Sequence, residues 1–140
     1  MKKLVLTVLA LALAPTLMIA QGTVSFGSST GTQYVQYDNL DKVAGAACEL
    51  WWSPDNTVAY TSIANATTGT GAAAGFIAPA VVATTGAATA GGTTAWFQIS
   101  ASDGTYTGYS PMFENATGNP LGTPPTAPVT LAGWANPITI

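Results

Sequence analysis

Residues 21–140 predict an all-β fold, a single antiparallel β-sandwich of the immunoglobulin-like or jelly-roll-like kind with about eight strands. Two observations carry this reading. No segment after Ala20 repeats its apolar residues at a helical spacing, and Glu, Lys and Gln are scarce while Thr and Val are common. Short runs of alternating character are instead cut at close intervals by Gly, Pro, Asn, Asp and Ser. Four Trp, five Tyr and four Phe are spread along the chain, enough large apolar surface for a folded core despite the low charge.

The strands follow in order. Residues 23–26 place Val24 and Phe26 on one face, and 27–31 form a turn cluster. Residues 33–37 alternate polar with aromatic and precede a polar loop at 38–42. Residues 47–52, Ala-Cys-Glu-Leu-Trp-Trp, make the clearest strand: Cys48, Leu50 and Trp52 share a face, and Trp51 takes the other. Ser53-Pro54-Asp55-Asn56 closes it as a turn. Residues 57–62 then read as the return strand of a hairpin, with Val58 and Tyr60 on one face. A low-complexity loop follows at 64–75. Residues 76–83 form a strand in which Pro79 marks an edge or bulge. After a Gly/Ala/Thr connection at 84–92, residues 93–100 form a strand with apolar residues on both faces, Trp96 with Gln98 and Phe97 with Ile99, as a central strand requires. Asp103-Gly104 is a hairpin signal leading into 105–109. A short strand or bend at 110–114, a Pro/Gly loop at 118–128, and strands at 129–131 and 137–140 complete the set.

The first twenty residues have the layout of a secretory signal peptide. Lys2 and Lys3 precede an apolar run from Leu4 to Ala14, and the stretch ends at Ala20. The run is too short for a membrane span, and none is expected later. The expected organisation is a signal peptide over 1–20 and one domain over 21–140, exported and acting in the extracellular space or at the cell surface. Within 21–140 Lys42 is the only cation against six carboxylates, a formal charge of −5, and neither Arg nor His occurs. Nucleic acid is therefore no expected partner, since one lysine neutralises too few phosphates. Neither a Ser-His-Asp nor a Cys-His constellation can be assembled. Cys48 is alone and has no nearby cation to stabilise a thiolate, which predicts a buried thiol rather than a nucleophile. No metal set or cofactor is implied.

Several short motifs occur in a set order. Ala20 to Phe26 reads A-Q-G-T-V-S-F. Then come Ala47 to Trp52, a Gly/Ala-rich connection into a strand around Trp96, Gly104 to Tyr106, Ser110 to Phe113, Gly122 to Pro125, and Leu131 to Trp134. This order resembles the exported β-domain proteins of Verrucomicrobia and related bacteria. The resemblance implies a secreted β-domain and transfers no catalytic residue. Many such proteins carry a C-terminal Pro-Glu-Pro sorting tail; this chain ends at Ile140 without one, so that route to the surface does not carry over.

The aromatic residues are the side chains best suited to a ligand. Trp51, Trp96 and Tyr109 are the candidate binding residues, able to stack on sugar rings if they line one exposed face; Trp52, Trp134 and Tyr106 are further rings of the same type. Asp38-Asn39-Leu40-Asp41 and Asp55-Asn56 read as turn chemistry, with calcium binding as the alternative. Glu49 and Glu114 are the only glutamates, and a glycoside hydrolase would need two carboxylates facing each other across a cleft. The expected role is thus structural or adhesive, through self-association or contact with cell-surface polysaccharide. A carbohydrate-binding module is the alternative, with a hydrolase behind both.

Overall fold

The computed structural model describes residues 21–28, 31–134 and 137–140. The expected signal peptide lies outside the described residues, as does part of the expected turn at 27–31. The described chain is all-β, with ten strands: β1 (Thr23–Phe26), β2 (Val35–Gln36), β3 (Ala47–Ser53), β4 (Thr61–Thr67), β5 (Val81–Thr84), β6 (Thr94–Ser102), β7 (Thr107–Tyr109), β8 (Phe113–Ala116), β9 (Val129–Thr130) and β10 (Ile138–Thr139). One 3₁₀ turn at Gly71–Ala73 interrupts them.

The main sheet runs β4-β3-β6, and β7 and β8 share the far edge of β6. β7 pairs with Ser100–Ser102 and β8 with Thr94–Phe97, so β6 is central at Trp96–Phe97 and Ser100–Ser102, with β3 on its other side. The second layer is β5-β1-β9, and β2 pairs with β10. Strict period-two alternation builds the interface between layers. Cys48, Leu50 and Trp52 on β3 and Ala95, Phe97, Ile99 and Ala101 on β6 are buried and alternate with residues that are not, except at the end of β3, where Ser53 is buried beside Trp52. They join Val24 and Phe26 of β1, Ala83 of β5, Leu131 and Trp134 in one core. Phe97 and Phe113 pack with ring centroids 6.1 Å apart.

The sandwich is not purely antiparallel. β9 runs parallel to β1, and β10 runs parallel to β2. Each of these late strands pairs through only two residues, too few to carry a periodic signal, and each returns beside a strand from the start of the chain. The return strand of the first hairpin also lies further along than 57–62. Asp55 Oδ1 accepts hydrogen bonds from Thr57 N at 3.0 Å, Val58 N at 3.3 Å and Thr57 Oγ1 at 2.9 Å. Asn56 adopts φ 63°, and Tyr60 donates to its Oδ1 at 2.7 Å. These local bonds hold residues 54–60 as a loop and leave Val58 exposed, so pairing with β3 begins at Thr61. The stretch expected to be a loop from 64 is therefore strand as far as Thr67. The expected strand at 76–83 begins only at Val81, as β5, because the backbone of its first residues bonds elsewhere: Gly69 N donates to the Phe76 carbonyl, Ser28 N to the Ile77 carbonyl, and Ala78 N to the Thr67 carbonyl.

Candidate functional site

The register of the main sheet decides which side chains share its outer face. Trp51 pairs with Gln98, and Glu49 pairs with Ser100. Ser100 pairs in turn with Tyr109, and Trp96 with Glu114. Alternation turns all of these away from the core, so the three candidate residues Trp51, Trp96 and Tyr109 lie on one outward face, on adjacent strands β3, β6 and β7. Both tryptophans are half-buried, and Tyr109 is 61 % exposed. The strand spacing gives this platform an extent of about 10 Å across the strands and about 13 Å along them.

Hydrogen bonds fix the platform. Trp51 Nε1 donates to Ser100 Oγ at 3.1 Å, which lays the indole diagonally toward the row that holds Tyr109. Gln98 Nε2 donates to the Ser110 carbonyl at 3.2 Å. Ser110 is tied down itself: its Oγ accepts from Ile99 N at 2.9 Å and donates to the Pro111 carbonyl at 2.8 Å. The carboxylates on the face are Glu49 and Glu114. The register sets their Cα atoms on strands either side of β6, four residues apart along it, with the Trp51–Gln98 row between them. That corresponds to a Cα separation of about 16 Å, not to a facing pair across a cleft.

The other expected rings divide between core and surface. Trp52 is buried, and its Nε1 donates to Thr89 Oγ1 at 3.0 Å. Trp134 is buried, and its indole N–H has no hydrogen-bond partner among the described residues. Tyr106 is 60 % exposed, at the tip of the β6–β7 hairpin. Cys48 is buried on the inner face of β3, and burial pushes its thiol up to about 12. Lys42 is held over the rings of Phe76 and Tyr34, 4.0 and 4.9 Å from their centroids. The two acidic motifs make turns: Asn39 Nδ2 donates to Asp41 Oδ2 at 2.8 Å, while Asp55 caps its own loop.

A grouping that the sequence did not reveal sits at the end of the sandwich. Tyr37, Asp38, Asn39, Tyr106 and Ile140 line a cleft of about 350 Å³. The loop after β2, the β6–β7 tip and the end of β10 converge there, from positions nearly seventy and a hundred residues apart. The one sequence signal was the aromatic-acidic pairing in Tyr37-Asp38, whose partner Tyr106 only the fold identifies.

No protein-family model, curated protein or solved structure matches the chain. No helix among the described residues is long and apolar enough to cross a membrane.

Proposed function

We propose that this protein is an exported, non-enzymatic adhesive domain that holds neutral polysaccharide on the outer face of its main sheet. The observation that carries the reading is the common outward face of Trp51, Trp96 and Tyr109, with Gln98 and Ser100 set between them. Flat rings offer apolar faces to the C–H surfaces of sugars, and the amide and hydroxyl between them bond to ring hydroxyls. A platform open over three strands suits a polymer chain better than a small molecule, which needs enclosure. The charges on the face are Glu49 and Glu114, so polyanionic glycans are disfavoured.

The test is retention on insoluble neutral polysaccharides such as cellulose, chitin and xylan, compared with a soluble polyanion. Trp51→Ala and Trp96→Ala should each weaken retention about tenfold, while circular dichroism confirms the fold. Unchanged retention in both variants defeats the proposal.

Self-association is a second reading, favoured by β4. Among the described residues its outer edge is met by a backbone hydrogen bond only at its end, where Ala78 N donates to the Thr67 carbonyl at 3.2 Å. Thr61–Thr67 contains no charge and no proline, the usual guards of an open edge. Sedimentation velocity at rising concentration tests this; a monomer throughout rejects it.

A further inference from the structure

The cleft at the end of the sandwich is separate from the platform. Tyr106 sits at the hairpin tip, and Tyr37 lies across from it after β2. At about 350 Å³ the cleft falls within the range of small-ligand sites, about 300–1,000 Å³. Its frame is fixed. Tyr37 Oη donates to Asp103 Oδ2 at 3.0 Å, and Asp103 Oδ1 accepts from Thr105 N and Tyr106 N, each at 2.8 Å. The hairpin tip is thereby clamped to the Tyr37 loop.

The hydrogen-bond inventory selects the ligand. Two of the side-chain donors are committed, Tyr37 Oη to Asp103 and Asn39 Nδ2 to Asp41, while Tyr106 Oη has no hydrogen bond among the described residues. Asn39 Oδ1 is committed as well, to Asp41 N at 3.1 Å, so the one carboxylate of the lining is that of the exposed Asp38, beside Tyr37 and Tyr106. A sugar hydroxyl asks for donors and acceptors in equal number, whereas an ammonium brings three donors and no acceptor. An ammonium also gains from the ring faces, and Ile140 offers an apolar wall to a carbon stem. Asp41 and Asp103 add negative potential nearby. No lysine of residues 21–140 competes, because Lys42 lies over Phe76 and Tyr34. A second cleft, of about 340 Å³ beside Ser28 and Gln33, has no aromatic wall among its described residues.

We propose that the Tyr37–Asp38–Tyr106 cleft binds a primary ammonium group, carried by an amino sugar or by an aliphatic amine. The ammonium donates to the Asp38 carboxylate and sits against the two phenol rings.

The test is a titration of the ¹⁵N-labelled protein at about pH 6, where alkylammonium groups and ordinary carboxylates are both charged. The probes are glucosamine, putrescine, choline and glucose at matched ionic strength. Amides of 37–39 and 103–106 should shift with glucosamine and putrescine, less with choline, which has no N–H, and not with glucose. A response to glucosamine alone assigns the source as amino sugar; a response to both assigns the bare ammonium. Asp38→Asn should weaken binding about tenfold, and raised salt should weaken it in the native protein. Asp38 is exposed, so this variant should keep the fold. Equal shifts with glucose and glucosamine, unchanged affinity in Asp38→Asn, or no shift with any amine overturns the proposal. The platform is read separately through the Trp51 indole N–H, so failure of one site leaves the other distinguishable.

Discussion

At the scale of single residues, the core contrasts two buried tryptophans. Trp52 donates its N–H to Thr89 Oγ1, while the N–H of Trp134 has no partner among the described residues. A buried donor without an acceptor keeps its full desolvation cost. Trp134→Phe removes that cost along with the packing it loses; Trp52→Phe loses packing and strands the Thr89 hydroxyl. Denaturant unfolding should therefore find Trp52→Phe the more damaging, by about 1 kcal/mol. Equal losses would contradict the bonding pattern. Cys48 gives a second prediction. Its thiol is held near 12 by burial, against 9.0 for a free thiol. Above about pH 9 the unfolded chain loses a proton that the folded chain keeps, so stability should fall as pH rises from about 9 toward 12. Comparing native protein with Cys48→Ala across that range isolates the effect, and only the native protein should show this component. The same burial predicts that alkylating reagents label Cys48 only after unfolding.

At the scale of elements, legibility in the sequence follows strand length. β1 lies where its alternation placed it, and β3 and β6 differ from expectation by one or two residues, because seven or nine alternating residues leave one way to bury an apolar face. The return strand lies further along than expected because Asp55 takes the Thr57 and Val58 amides that a tight hairpin would leave to the ladder, while the Tyr60 hydroxyl ties to Asn56. β9 and β10 lie within the expected strands at 129–131 and 137–140, but their parallel pairing was unreadable, since their neighbours lie about a hundred positions away. One side chain joins pieces 22 and 25 positions apart. Thr68 Oγ1 accepts from Ala46 N at 2.8 Å and donates to the Val43 carbonyl at 2.7 Å, both buried. Thr68→Val keeps the shape and leaves the Ala46 amide unpaired beyond the end of β4, while the Val43 carbonyl keeps its bond from Gly75 N at 2.9 Å. Thermal and denaturant unfolding should show a loss of about 1–3 kcal/mol. A neutral outcome would mean that other groups hold this junction.

At the scale of the whole molecule, the candidate site was only half legible. Alternation alone assigned Trp51 to the face opposite Cys48 and put Trp96 beside Gln98. Which strands adjoin, and in what register, decides whether those faces coincide, and no local pattern encodes that. The pairing of Trp51 with Gln98 and of Ser100 with Tyr109 supplies it. The cleft between Tyr37 and Tyr106 was illegible for the same reason, since its walls come from three distant segments. Low charge links the proposals at this scale. With Lys42 engaged by two rings, aromatic faces, carboxylates and backbone edges remain the means of contact. Such a surface suits neutral polymers, amines and further copies of the chain, and turns polyanions away.

The most direct test of the central claim is the affinity of the native protein for an insoluble neutral polysaccharide, measured beside Trp51→Ala and Trp96→Ala. The account predicts saturable binding by the native protein, insensitive to moderate salt, and about tenfold weaker in each variant while the fold is kept. Native protein that does not bind, or variants that bind as well as it does, would contradict it.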